Sequence, residues 1–200
     1  MPTREFRVGE MSSPADLRLS VEQLLQRREA PDVEAWRALG PGVVPLLMRL
    51  EDEVAIGRSE ALRDRVLATL GQLQAVAAVP RLAQILLDRR ERLATRALAA
   101  NAMGRIGDSS AAVHLAEAGR DKDETIRRQV ALALGRLGHS EVIPHLQVLA
   151  KDRSPIVVEA AQASLRRYEE QLGTHRLVGP QKRRQPAAAK PRGPAPERKR

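Results

Sequence analysis

The feature that most restricts this chain is a phrase that returns at nearly fixed spacing. It reads Leu70-Gly71-Gln72-Leu73, then Met103-Gly104-Arg105-Ile106-Gly107, then Leu134-Gly135-Arg136-Leu137-Gly138. The first glycines of the phrases lie 33 and 31 residues apart, and a further 31 lands on Arg166 within Leu165-Arg166-Arg167-Tyr168. A period of this length marks a stack of similar units, because one such unit cannot bury its apolar face alone.

The register holds away from the glycines. Leu62, Thr95, Ile126 and Val157 are equivalent; so are Val66, Ala99, Val130 and Ala161; Leu70, Met103, Leu134 and Leu165; and Leu73, Ile106, Leu137 and Tyr168. Within each unit these positions fall at i, i+4, i+8 and i+11, which is one stripe of an α-helix. A second apolar helix precedes each of these. Val44-Pro45, Val79-Pro80, Val113-His114 and Ile143-Pro144 mark the starts, and Pro suits a first helical turn, whose N–H has no intrahelical partner. The turns inside the pairs are polar, as in Arg89-Arg90-Glu91, Lys122-Asp123-Glu124 and Asp152-Arg153-Ser154-Pro155. No strand-like alternation is visible. The expected unit is helix–turn–helix.

The wording Ile126-Arg127, Ala131-Leu132-Ala133-Leu134-Gly135-Arg136-Leu137-Gly138 and Val142-Ile143-Pro144 resembles a HEAT repeat, most closely the short subtype shared with phycobilisome-lyase-like repeats. The resemblance implies an all-α, HEAT-like α-solenoid of about five helix pairs with disordered termini. It divides the chain into a flexible leader at 1–12, a degenerate N-terminal capping repeat at 13–41, four repeats at 42–171 and a disordered basic Pro/Ala-rich tail at 172–200. In the opening segment, Ser13-Pro14-Ala15-Asp16 reads as a helix start. That helix is expected to reach about Glu29, ahead of Pro31, with a short helical piece from Asp32 to Leu39 before Gly40-Pro41-Gly42.

The resemblance also implies a function: binding another macromolecule, usually a protein, along the concave side lined by the second helix of each pair. Positions there that face away from the core stripe are Asp64, Ala97, Arg128 and Glu159, then Ala68, Asn101, Leu132 and Ala163. The first row has mixed sign, and the second is small or apolar apart from Asn101. A duplex phosphate track calls for a consistent row of Lys or Arg, whereas a mixed, partly apolar stripe suits a protein partner. These eight residues are the expected protein-binding set.

Two columns of arginine recur at the repeat spacing. Arg63, Arg96 and Arg127 lie about 70° from the core stripe, at ~100° per residue. They are expected to form a structural ladder with acids near the inter-repeat turns, such as Asp88, Asp121 or Asp123. Val158 stands where the fourth member would be, which fits a terminal unit with no following neighbour. Arg105, Arg136 and Arg167 come nine residues later, on the other side of the helix. They read as solvated cations matched to helix C-terminal dipoles.

The net charge of +9 is not spread evenly. Of 34 Lys/Arg and 25 Asp/Glu, residues 173–200 hold nine and one, leaving a nearly neutral body of 25 and 24. The tail's Lys182, Arg183, Arg184, Lys190, Arg192, Arg198, Lys199 and Arg200 form the expected polyanion-binding set, for nucleic acid or an acidic partner. Its specificity would be low, because phosphate contacts carry no base information.

Other chemistry lacks residues to carry it. With no cysteine there is no disulfide, thiolate zinc site or cysteine nucleophile. Phe6, Trp36 and Tyr168 are the only aromatics, too few for a base-stacking platform. His139 and His145 have no carboxylate at spacing comparable to H-E-x-x-H, and neither the phosphate-loop G-x-x-x-x-G-K-S/T nor the G-x-S-x-G elbow occurs. HEAT-like hydroxylases carry paired His-Glu motifs, and no His-Glu dipeptide is present here. No cofactor or metal is expected. No apolar leader or membrane-length span is evident; the longest uncharged run, between Arg65 and Arg81, contains Gly71, Gln72 and Gln74. The combined expectation is a cytoplasmic, non-enzymatic adaptor or scaffold. A polyanion-associated protein acting through the tail is the alternative, and a bilin-lyase-like enzyme a minor one.

Overall fold

A computed structural model of the protein describes residues 13–57 and 59–173. The leader at 1–12 and the tail from 174 onward, including the polyanion set at 182–200, lie outside the described residues. Among the described residues there are ten α-helices: α1 (Pro14–Gln26), which packs on the following pair, and the short α2 (Val33–Arg37), then four packed pairs, α3 (Val43–Gly57) with α4 (Glu60–Gln72), α5 (Val79–Leu87) with α6 (Leu93–Ile106), α7 (Ala111–Ala118) with α8 (Glu124–Leu137), and α9 (Ile143–Leu149) with α10 (Pro155–Leu172). There is no β-strand among the described residues. The fold is an all-α solenoid.

The helix ends follow from local chemistry. The Ser13 hydroxyl accepts from the Asp16 N–H and starts α1; Asp32 and Asp123 carboxylates do the same for α2 and α8. Helices α6, α8 and α10 end on Gly107, Gly138 and Gly173, each with a left-handed φ that a side chain would resist. Helix α1 stops at Gln26 rather than near Glu29. The reason is tertiary: Arg65 on α4 donates to the carbonyls of Leu25 and Arg27, satisfying the end of α1 before another turn can form.

The core stripe lies where the 31–33-residue register puts it. Val66, Ala99, Val130 and Ala161 are fully buried, and Leu70, Met103, Leu134 and Leu165 nearly so. The second helices pack on one another in sequence, α4 on α6, α6 on α8 and α8 on α10. First helices meet far less, with α3 against α5 and α7 against α9 making at most marginal contact. The second helices are therefore the tighter, inner layer.

The recurrent glycine explains how they come so close. A Cβ on Gly71 would lie 2.8 Å from the Cα of Ala102, and one on Gly104 would lie 2.7 Å from the Cα of Ala133. At Gly135 it would overlap the Ser164 side chain. Each glycine is the point where the next helix backbone crosses, and its partner is Ala, Ala or Ser.

The first arginine column locks this stack. Arg63 donates to both oxygens of Glu91 at 2.7 Å and to the fully buried Glu51 at 2.7 Å. Arg96 donates to the Leu86 carbonyl at 2.8 Å and pairs with Asp121. Arg127 takes both oxygens of Asp152, at 2.8 and 2.9 Å, and the carbonyls of Asp121 and Lys122. Each arginine thus reaches forward to the turn inside the following pair, not to an inter-repeat turn as expected, because the carboxylates lie between the two helices of that pair. Of the three acids expected, Asp121 is a partner; Asp88 and Asp123 are not. Their carboxylates hold the backbone N–H groups of Arg90 and Thr125 instead. Val158 belongs to the last described pair, where no following turn is available to receive an arginine.

Candidate functional site

Helices α4, α6, α8 and α10 present the face opposite the core stripe, and every residue expected there reaches the surface. Ala68, Arg128 and Glu159 are exposed; Asp64, Ala97, Asn101, Leu132 and Ala163 are half-buried. Two of them have a second job. Leu132 and Ala97 also pack against the core, so they contribute to the fold. Asp64 lies 3.9 Å from Arg92, and the Thr95 hydroxyl approaches it at 3.4 Å, so its charge is partly engaged.

The structure adds a third row to this face. Arg105, Arg136 and Arg167 follow Asn101, Leu132 and Ala163 by four residues each, one turn along the same side of the helix. A direct contact joins the rows: the Arg136 guanidinium donates to the Asn101 side-chain oxygen at 3.2 Å, across from α8 to α6. The helix-dipole reading of this column covers two of its members. Arg105 and Arg136 occupy the last turns of α6 and α8, but Arg167 lies short of the last turn of α10. Among the described residues none of the three is in an ion pair. Burial holds the Arg136 guanidinium below the usual arginine range, and the neighbouring Arg167 and Arg105 charges push it the same way.

The inner face therefore grades across its width, from a mixed-charge row through a small or apolar row to a cationic one. Periodicity in the sequence points to the first two rows, and the third reads there as helix-end cations. The i+4 relation between Asn101 and Arg105 was the available signal; which inter-helix contact the guanidinium would make was not.

Elsewhere the chemistry is sparse. Among the described residues no three His, Asp or Glu side chains gather as a metal-binding group. No helix among them is long and apolar enough to cross a membrane. The outer layer has a cleft of about 500 Å³ between α7 and α9, bordered by the exposed Val113 and Val148.

The architecture defines a helical repeat protein. The family model described as HEAT repeats matches residues 94–166, from α6 into α10. Over that stretch the chain is similar to HEAT repeats. No curated protein matches it. Among solved structures, human deoxyhypusine hydroxylase in complex with glycerol is similar over 82% of this chain and 77% of that one, at 19% identity and a TM-score of 0.30. Nothing about the chemistry of this chain follows from a likeness at that level.

Proposed function

We propose that this protein is a non-enzymatic adaptor that binds another protein on the inner face of α4, α6, α8 and α10. The observation that carries this reading is the graded face itself. Its rows are held at fixed spacing by close-packed helices, and they combine exposed charge with half-buried small and apolar side chains. Protein interfaces favour that mixture of apolar centre and polar edge. The similarity of residues 94–166 to HEAT repeats, helical arrays that commonly serve in protein interactions, agrees with it.

The test uses the full chain as bait and compares it with Ala68→Arg/Arg128→Glu. Both positions are exposed, so helicity and melting should not change. A partner retained by the parent and lost by the variant supports the reading. A partner captured equally by both moves the binding site off this face.

The uneven charge favours a second role for the tail. Eight of the nine net positive charges lie in residues 173–200, so we infer that any nucleic-acid binding is carried there. Truncation after Gly173 should then abolish most DNA or RNA binding. In the full chain that binding should be salt-sensitive, with a slope of log K against log salt of roughly −3 to −7 if ~4–8 phosphates are engaged. A slope near zero, or selectivity for base sequence, would argue for a folded recognition surface instead.

A further inference from the structure

The Arg105, Arg136 and Arg167 row has no structural task that accounts for all three members. The contrast with Arg63, Arg96 and Arg127 shows what such a task looks like here: each of those donates to a carboxylate of the next unit. The second row offers three guanidinium groups on adjacent helices, with one side-chain hydrogen bond among them, from Arg136 to Asn101. Stacked like charges disfavour the free state, and an anion laid along them removes that penalty.

We propose that this row is the anchoring edge of the inner face and that its ligand is an acidic segment of a partner polypeptide lying across α6, α8 and α10. The proposal rests on the adaptor reading and names the chemistry of the partner. Packed helices stand ~8–10 Å apart, so the cations recur at about that interval. A polyproline-II chain rises ~3.1 Å per residue with three residues per turn, so a carboxylate at every third residue recurs on one face at ~9 Å and meets successive arginines. Each planar fork suits a carboxylate through paired N–H donors. Asn101, Leu132 and Ala163, one turn away, give the segment a small and apolar shoulder.

Two other occupants fit less well. A nucleic acid would meet Asp64 and Glu159 across the same face, and the aromatic side chains of Trp36 and Tyr168 are buried rather than offered for stacking. The chain's own residues 173–200 carry a net +8, so the row repels them.

The experiment is fluorescence anisotropy with a labelled peptide of five Glu-Ala-Ala repeats. The protein is the full chain with its eight tail residues Lys182, Arg183, Arg184, Lys190, Arg192, Arg198, Lys199 and Arg200 changed to Gln, which silences the competing basic segment. The peptide should bind in a salt-sensitive manner. Arg105→Gln/Arg136→Gln/Arg167→Gln should weaken binding ~10-fold or more, and the Lys triple should restore part of it. Arg167→Gln alone changes one exposed position and should weaken binding several-fold at an unchanged melting temperature, which covers the case of a misfolded triple. Equal binding by the parent and either Gln variant overturns the proposal, as does equal binding of a Lys-Ala-Ala peptide. Tighter, Arg-dependent binding of oligo-thymidine would also overturn it, by making the ligand a nucleic acid. The adaptor reading fails by a different result, retention of the captured partner by Ala68→Arg/Arg128→Glu.

Discussion

Two arginine columns run along overlapping stretches at nearly the same spacing, one on α4, α6 and α8 and the other on α6, α8 and α10, and their surroundings give them opposite roles. Arg96 and Arg127 are buried at the seam between units, each with a carboxylate and backbone carbonyls around its guanidinium. Arg105, Arg136 and Arg167 sit half a helix turn away on the inner face, without a carboxylate partner among the described residues. Residue type and period are shared, and on α6 and α8 so is the helix. What differs is the forward turn: Glu91, Asp121 and Asp152 are delivered to the first column by the loop of the next pair, and nothing comparable is delivered to the second. A repeat protein can thus use one residue type to hold units together and to offer charge to a partner.

The largest test of that contrast is Arg96→Leu. It leaves the Asp121 carboxylate buried without its cation and should cost ~3–5 kcal/mol in urea denaturation. A cost under about 1 kcal/mol would make the first column as dispensable as a surface charge. Next comes Gly104→Ala. An added methyl would press on the Ala133 backbone and should cost ~1–3 kcal/mol despite Ala's better helix propensity. A gain in stability would mean that α6 and α8 are not held as closely as both columns require.

Acid titration separates the columns more finely. Burial raises the Asp121 carboxyl, but the hydrogen bonds from Arg96 and the Asp123 N–H outweigh it and leave the group below the usual carboxylate range. The Arg127 hydrogen bonds lower Asp152 as well. A carboxyl lowered in the folded state stabilises above its unfolded pKa of about 3.9. That contribution fades as pH falls below that value toward the folded one. Stability should therefore be level from neutral pH to about 5 and drop below about 4. Asp121→Asn should start lower at neutral pH and lose less on acidification; parallel curves for parent and variant would remove Asp121 from the ladder. The smallest expected change is Arg136→Gln, within about 0.5 kcal/mol of the parent. A loss as large as that of Arg96→Leu would make the second column structural and end the contrast.

Much of this was legible beforehand for a specific reason. Helix pairing, the core stripe from Val66 to Leu165 and the forward logic that excuses Val158 all follow from period and polarity, which are local and repeated three or four times over. Asp121 was identifiable as a ladder acid for the same reason. The remaining assignments needed three dimensions. Asp88 and Asp123 lie at plausible spacing, yet each folds back on a nearby N–H, a competition between backbone and arginine that spacing does not decide. Glu51 enters the ladder from α3, twelve residues before Arg63, outside the turn pattern. The end of α1 depends on Arg65 from another pair. Leu132 belongs both to the inner face and to the core.

The sequence by itself determined that this chain is a stack of helix pairs, which helix face is buried, and that most of the net charge stands apart from the repeats. Only the tertiary structure decided which arginines are neutralised. An ion pair depends on where a neighbouring loop sets its carboxylate to within an ångström or two, and the pattern of one helix carries no information about the loop that packs beside it.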